Sequence, residues 1–114
     1  MKLYIQASAA DDILRQVEHY AEQGLPSIAQ RFAQSVKTSI GALLTRPHIG
    51  ALKATANPKL TSLRTWPVTD FDDFRIYYIL KDDTLQVIRI LHGKRDIRPI
   101  IEQQDVGDPY RHDD

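Results

Sequence analysis

The hydrophobic pattern of this chain changes period once, and that switch bounds what the chain can fold into. From Ala10 to Leu44, apolar residues recur at three- and four-residue spacing, the repeat of helices that bury one stripe. From Thr61 to Leu91 they fall into strand-length runs rich in Val, Ile, Tyr, Phe and Trp. Helices followed by strands, rather than alternating with them, predict an α+β fold with an antiparallel sheet. At 114 residues the chain is the size of one domain. With 42% hydrophobic and 26% charged residues it has the composition of a folded globule, not of a disordered segment.

Leu3–Gln6 reads as a short N-terminal strand. Ser8 then suits an N-cap, and Asp11 and Asp12 sit where a helix dipole favours negative charge. Ala10, Ile13, Leu14, Val17 and Tyr20 or Ala21 make the stripe of a first helix, which Gly24 ends. Pro26 suits the first turn of a second helix, over about Pro26–Leu44, with the stripe Ile28, Ala29, Phe32, Ala33, Val36, Ile40, Leu43 and Leu44. The short link predicts an antiparallel helical hairpin packed on the sheet. A loop of unassigned structure spans Arg46–Lys59.

In the second half, Thr61–Val68 reads as a strand with Pro67 at its edge or end. Phe74–Leu80 and Thr84–Leu91 flank Asp82-Asp83 as a hairpin. With Lys81 opposite Thr84, Phe74, Ile76, Tyr78 and Leu80 share a face with Leu85, Val87, Arg89 and Leu91, and this face is expected to receive the helices. Arg75, Tyr77 and Ile79 share the other with Gln86, Ile88 and Ile90, with His92 near Arg75, and this one is expected to be the functional surface. The expected domain is residues 1–103, followed by a flexible acidic tail over 104–114.

Several chemistries are excluded or unsupported. There is no cysteine, hence no disulfide, thiolate metal site or cysteine nucleophile. His19, His48, His92 and His112 form no HExxH or comparable ligand spacing, so no metal is expected. No glycine-rich phosphate loop and no GxSxG turn occurs, and no cofactor is implied. Apolar runs such as Ile76–Leu80 are too short to span a bilayer, and the N-terminus lacks a signal-like apolar stretch, so a cytoplasmic location without membrane contact is expected.

The formal net charge of zero hides a partition: residues 1–40 balance, residues 41–100 carry +4 and residues 101–114 carry −4. A basic middle and acidic end suit contact with a polyanion or an acidic partner, the tail masking the patch, or else a simply solvated surface. The cations that stand out are Arg64, Arg75, Arg89, Lys94 and Arg95, with His92 beside Gly93. Planar guanidinium forks suit phosphate or carboxylate groups. Arg89, mid-strand, also reads as a structural ion-pair partner.

Taken in order, Ala29-x-x-Phe32, Pro47-x-x-Gly50, Leu63-Arg64-Thr65-Trp66-Pro67-Val68, Phe74-Arg75-Ile76-Tyr77-Tyr78 and the run from Val87 through His92-Gly93-Lys94-Arg95-Asp96-Ile97 resemble the RelE/ParE toxin superfamily, in particular its ParE-like branch. The resemblance covers about residues 3–101, and Ile88–Ile97 is its most specific part. It implies the toxin of a type II toxin–antitoxin (plasmid stabilisation) module, neutralised by a cognate antitoxin protein whose flexible segment lies along the toxin. RelE-like members enter the ribosome and cut mRNA by driving a 2′-hydroxyl onto the adjacent phosphate. ParE-like members bind DNA gyrase and trap it on broken DNA.

Arg64, Arg75 and Arg95 fall where the RelE-like branch has catalytic cations. Ser62 stands where that branch often has a lysine, and Ile101 where it often has a tyrosine. A serine supplies no cation, and an isoleucine neither stacks as an aromatic nor transfers a proton. The expectation is therefore a non-catalytic, gyrase-binding toxin. The alternatives are a ribosome-dependent mRNA endoribonuclease, with Arg64, Arg75 and Arg95 catalytic, or a decayed member that only binds its antitoxin. Arg75, His92, Lys94 and Arg95 are the expected target-binding residues, and Ile28, Phe32 and Val36 the expected antitoxin contacts.

Overall fold

The computed structural model describes residues 1–109, and its elements follow the switch of period. β1 (Lys2–Ile5) leads into α1 (Ala7–Glu22) and α2 (Pro26–Thr45), followed by β2 (Ala51–Leu52), β3 (Arg64–Val68), β4 (Phe71–Lys81), β5 (Thr84–His92) and α3 (Arg98–Glu102). Gly24, at φ 73°, ends α1: its N–H donates to the Ala21 carbonyl and that of Leu25 to the Tyr20 carbonyl, the paired bonds of a Schellman cap. Pro26 opens α2, where its missing N–H leaves no bond unmade. Ser8 is not the N-cap. The cap position is Gln6, two residues earlier, and the Ser8 hydroxyl donates instead to the Ile88 carbonyl of β5 at 2.8 Å.

The sheet runs β1-β5-β4-β3-β2, and the α+β expectation holds. One pairing is not antiparallel: β1 lies parallel to β5, Lys2 opposite Thr84, so the sheet is mixed. That pairing needs the whole chain between the two strands, and no local pattern encodes it.

The β4–β5 hairpin closes through Asp82 and Asp83 at φ 52° and 60°, the left-handed pair of a type I′ turn. The expected register holds from Lys81↔Thr84 to Tyr78↔Val87. Between Tyr77 and Tyr78 it shifts, because Ile88 is an extra residue in β5 and Tyr77 stands opposite Arg89. Beyond this bulge the faces exchange. Ile90 joins Ile76, Tyr78, Leu85 and Val87 under the helices, where Phe32, Val36, Ile40 and Leu43 complete the main core. Arg89 and Leu91 leave the helix face, against expectation, and Leu91 joins Tyr77, Ile79 and Ile88 on the other.

That second face is not a bare functional surface either. Leu60 and Leu63 from the long loop, with Ile97, Ile100 and Ile101 from the α3 region and Val106, cover it as a second core cluster. Past the expected boundary at residue 103 the chain stays bonded to the domain. Gln6, Gln86 and Asn57 are buried polar side chains that must be paired, and α3 together with the segment after it supplies partners. Gln6 Nε2 donates to the Asp105 carbonyl, Gln86 Nε2 to that of Gly107, and Asn57 Nδ2 to those of Ile101 and Gln104. Gly107 N–H returns a bond to Gln6 Oε1 at 2.7 Å. Residues 104–107 therefore form a strap on the domain rather than a flexible tail. The rest of the acidic end, residues 110–114, lies outside the described residues. No helix among the described residues is long and apolar enough to cross a membrane.

Candidate functional site

Strand alternation decides where each cation points. In β3, Arg64 stands opposite Tyr78 and Trp66 opposite Ile76, all on the helix side; Thr65 and Pro67 stand opposite Tyr77 and Arg75 on the other. Arg64 and Arg75 therefore project from opposite faces of the sheet.

On the helix side, the Arg64 guanidinium holds the turn after α2. Its Nη1 donates to the carbonyls of His48 at 3.0 Å and Gly50 at 2.7 Å. The Tyr78 hydroxyl joins the same lock, donating to the Pro47 carbonyl and accepting from Gly50 N–H at 3.0 Å. A Cβ on Gly50 would lie 2.4 Å from that hydroxyl, so only glycine fits. Burial pushes the Tyr78 phenol above its ordinary range, against the opposing pull of the Gly50 bond and the Arg64 charge.

On the other face, Arg75 is half-buried and its Nε donates to Thr65 Oγ1 at 3.1 Å. Tyr77 lies alongside. Burial raises its hydroxyl above the ordinary value, while the Arg75 charge and a bond to Thr65 act the other way. At the end of this face, a Cβ on Gly93 would lie 3.1 Å from the Asp73 carbonyl oxygen and 3.8 Å from Arg75 Cγ. The side chain missing at Gly93 makes room for β4, not for a partner. Lys94 and Arg95 leave the sheet from beside Arg75 and are exposed.

Of the expected target-binding residues, Lys94 and Arg95 directly follow Gly93, which packs beside Arg75. The structure places His92 on the opposite side, its ring edge-on to Phe74 with centroids 5.0 Å apart, and the bulge at Ile88 is the reason. Arg89 is a structural clamp. Its Nε and Nη2 grip both carboxylate oxygens of Asp12 at 2.7 and 2.8 Å, and Nη1 donates to Gln104 Oε1. In the acidic end, Asp105 pairs with Lys59. That contact holds the Asp105 carboxyl below its usual range, through the Lys59 hydrogen bond first and its charge second.

The residues expected to contact the antitoxin differ in accessibility. Phe32 and Val36 are 0% and 3% exposed and belong to the main core, with Phe32 packed edge-on against Phe71 and Phe74. Ile28 alone is partly accessible. Exposed large apolar residues include Leu25, 37% exposed, just before α2, and, elsewhere, Leu3 and Ile5 on β1, 42% and 37% exposed, and Leu14 on α1, 55% exposed.

Two residues near Arg95 escaped sequence reasoning. Lys53 and Arg98 line a pocket of about 470 Å³ together with Arg95, Ile97 and Ile101. Lys53 lay in the unassigned loop and Arg98 in an unrecognised helix. Their basic character was legible, but their meeting needs the β2–β3 pairing.

The family model of the ParE toxin of the type II toxin–antitoxin system, parDE, matches residues 3–97. No curated protein sequence matches. Among solved structures, one described as a chromosomal ParDE TA system from P. aeruginosa superimposes with a TM-score of 0.67 at 22% identity, covering 82% of this chain and 97% of that one. At that identity the likeness is one of fold.

Proposed function

The chain belongs to the ParE toxin family of type II toxin–antitoxin systems, and from this premise we propose that it arrests growth by binding DNA gyrase and trapping it on cleaved DNA, without chemistry of its own. One observation carries the choice against an mRNA nuclease: its candidate cations do not converge. Phosphoryl chemistry needs donors preorganised around one developing charge. Here Arg64 faces the helices and is bonded to two loop carbonyls, whereas Arg75 faces away. Ile101, where an aromatic acid–base group would be needed, is buried and apolar. A binding surface requires no such convergence, and Arg75, with Lys94 and Arg95 directly after the Gly93 that packs beside it, suits contact with gyrase.

A cognate antitoxin is the second proposed partner, since the matched solved structure is described as a ParDE system. Its docking surface in this reading is the outer strand β1 with Leu3, Ile5 and Leu14. An open strand edge beside exposed apolar groups suits a segment that folds on binding.

The test is direct. Purified protein should block negative supercoiling by gyrase and accumulate cleaved DNA. Cleavage of mRNA that depends on ribosomes, with supercoiling unaffected, would instead establish the nuclease reading. Inactivity in both assays, with an antitoxin still bound, would mark a decayed toxin.

A further inference from the structure

We propose that the pocket between the segment after β2 and α3, together with the open edge of β2, binds an extended acidic peptide of a protein partner. This goes beyond the gyrase reading and does not depend on it.

The pocket supplies charge. Lys53, Arg95 and Arg98 line it, and none of them takes part in an ion pair among the described residues. Of the two carboxylates that also line it, that of Asp96 is turned onto the backbone, where Oδ1 accepts from Arg98 N–H at 3.3 Å. The cations are thus in excess and available, and their donors match carboxylate groups. Ile97 and Ile101 give the pocket an apolar wall beside them.

The strand edge supplies main-chain pairing. β2 is the last strand of the sheet. Lys53 N–H donates inward to the Leu63 carbonyl at 2.8 Å, so by antiparallel alternation the N–H and C=O of Leu52 point outward. The Leu52 side chain is 66% exposed, the most exposed large hydrophobic residue described. An added strand would satisfy this edge and bring alternate side chains to the cations.

A peptide fits better than a single-stranded nucleic acid. The pocket is lined by no aromatic side chain on which a base could stack, and the chain as a whole carries no net positive charge.

The experiment titrates the full chain against a fluorescent peptide of about ten residues alternating Asp and Val, read by anisotropy. The proposal expects saturable binding that weakens as salt rises from about 0.05 to about 0.5 M. It expects Lys53→Ala and Arg95→Ala each to weaken binding roughly tenfold with an unchanged melting temperature. It also expects a backbone-N-methylated peptide of the same sequence to lose most of the affinity, because it cannot pair with the edge. Equal binding of the methylated peptide, tighter binding of an RNA of the same length, or no binding at millimolar peptide would each overturn it. Because the assay contains no gyrase, its failure is distinct from failure of the gyrase reading. Should Arg95→Ala unfold, Lys53→Ala on an exposed loop carries the test alone.

Discussion

Arg64 and Arg75 stand on adjacent strands yet point to opposite faces of the sheet, one bonded to the carbonyls of His48 and Gly50, the other to the hydroxyl of Thr65. The first is committed to holding the turn after α2. The second stays at the margin of a partly open face. Two arginines that look equivalent in the sequence therefore do different work, and substitution separates them.

Arg64→Ala should lower stability by about 2 kcal/mol, because the carbonyl of the buried Gly50 loses a charge-assisted donor. Arg75→Ala, which removes a single bond at a half-buried site, should cost less than about 1 kcal/mol. Denaturant unfolding of the two variants checks the order. Equal losses would contradict the division of roles.

The Asp12–Arg89 pair ties α1 to β5, with side chains only 10% and 18% exposed, and Asp12 also accepts from Ile90 N–H at 2.9 Å. Asp12→Ala leaves a guanidinium largely out of water without its counter-charge, so a loss of about 3 kcal/mol is expected. Replacing both residues with apolar ones of similar volume should recover part of it. A double variant as unstable as the single one would show that the pair is a net stabiliser rather than a demand met.

Alkaline unfolding should report on the two buried tyrosines. Burial raises both hydroxyls above the unfolded value of 10.0, so the folded chain holds protons that the unfolded chain releases. Stability from this source is complete below that value and falls as pH climbs through it toward the folded value. Tyr78→Phe should shallow this alkaline decline while costing about 1–2 kcal/mol at neutral pH, through the lost bonds to Pro47 and Gly50. Melting temperatures measured from neutral pH to about pH 11 would show it.

Deleting residues 104–114 removes hydrogen-bond partners of Gln6, Gln86 and Asn57, which are 6%, 1% and 6% exposed. Each amide keeps one bond, Gln6 to Ser8 Oγ, Gln86 to Gln6 Oε1 and Asn57 to the Ile101 carbonyl, and loses another worth about 0.5–1.5 kcal/mol, so the truncated chain should be about 2–4 kcal/mol less stable. Deleting only residues 110–114 leaves all of these bonds in place, so it should cost less than the full truncation. A full truncation that melts with the intact chain would show that the strap adds nothing.

Leu14→Glu places a charge on an exposed position of α1, where stability should change by less than about 0.5 kcal/mol. If the antitoxin docks on β1 and α1, this change should weaken its binding at least tenfold in calorimetry. Phe32→Ala, in contrast, should destabilise the toxin itself by about 3–5 kcal/mol.

The sequence by itself determined the order and type of the main elements, because each rests on a local rule. Gly24 and Pro26 punctuate the helices, the stripe from Ala29 to Leu43 gives α2 its buried face, and Asp82-Asp83 set the hairpin register as far as Tyr78. The run from Ile88 to Ile97, with the motifs before it, was enough to mark the family. What only the tertiary structure decided begins at the bulge. Ile88, Ile90 and Leu91 are apolar in either register, since helices cover one face of the sheet and the long loop and α3 cover the other. Alternation then carries no information about which side is which, and one extra residue moved His92 to the helix side and Arg89 away from it. The parallel β1–β5 pairing, the strap on Gln6 and Gln86, and the meeting of Lys53 with Arg95 and Arg98 share this character. Each joins residues far apart in the chain to satisfy buried polar groups or cover apolar surface, a demand that exists only once the chain has closed on itself.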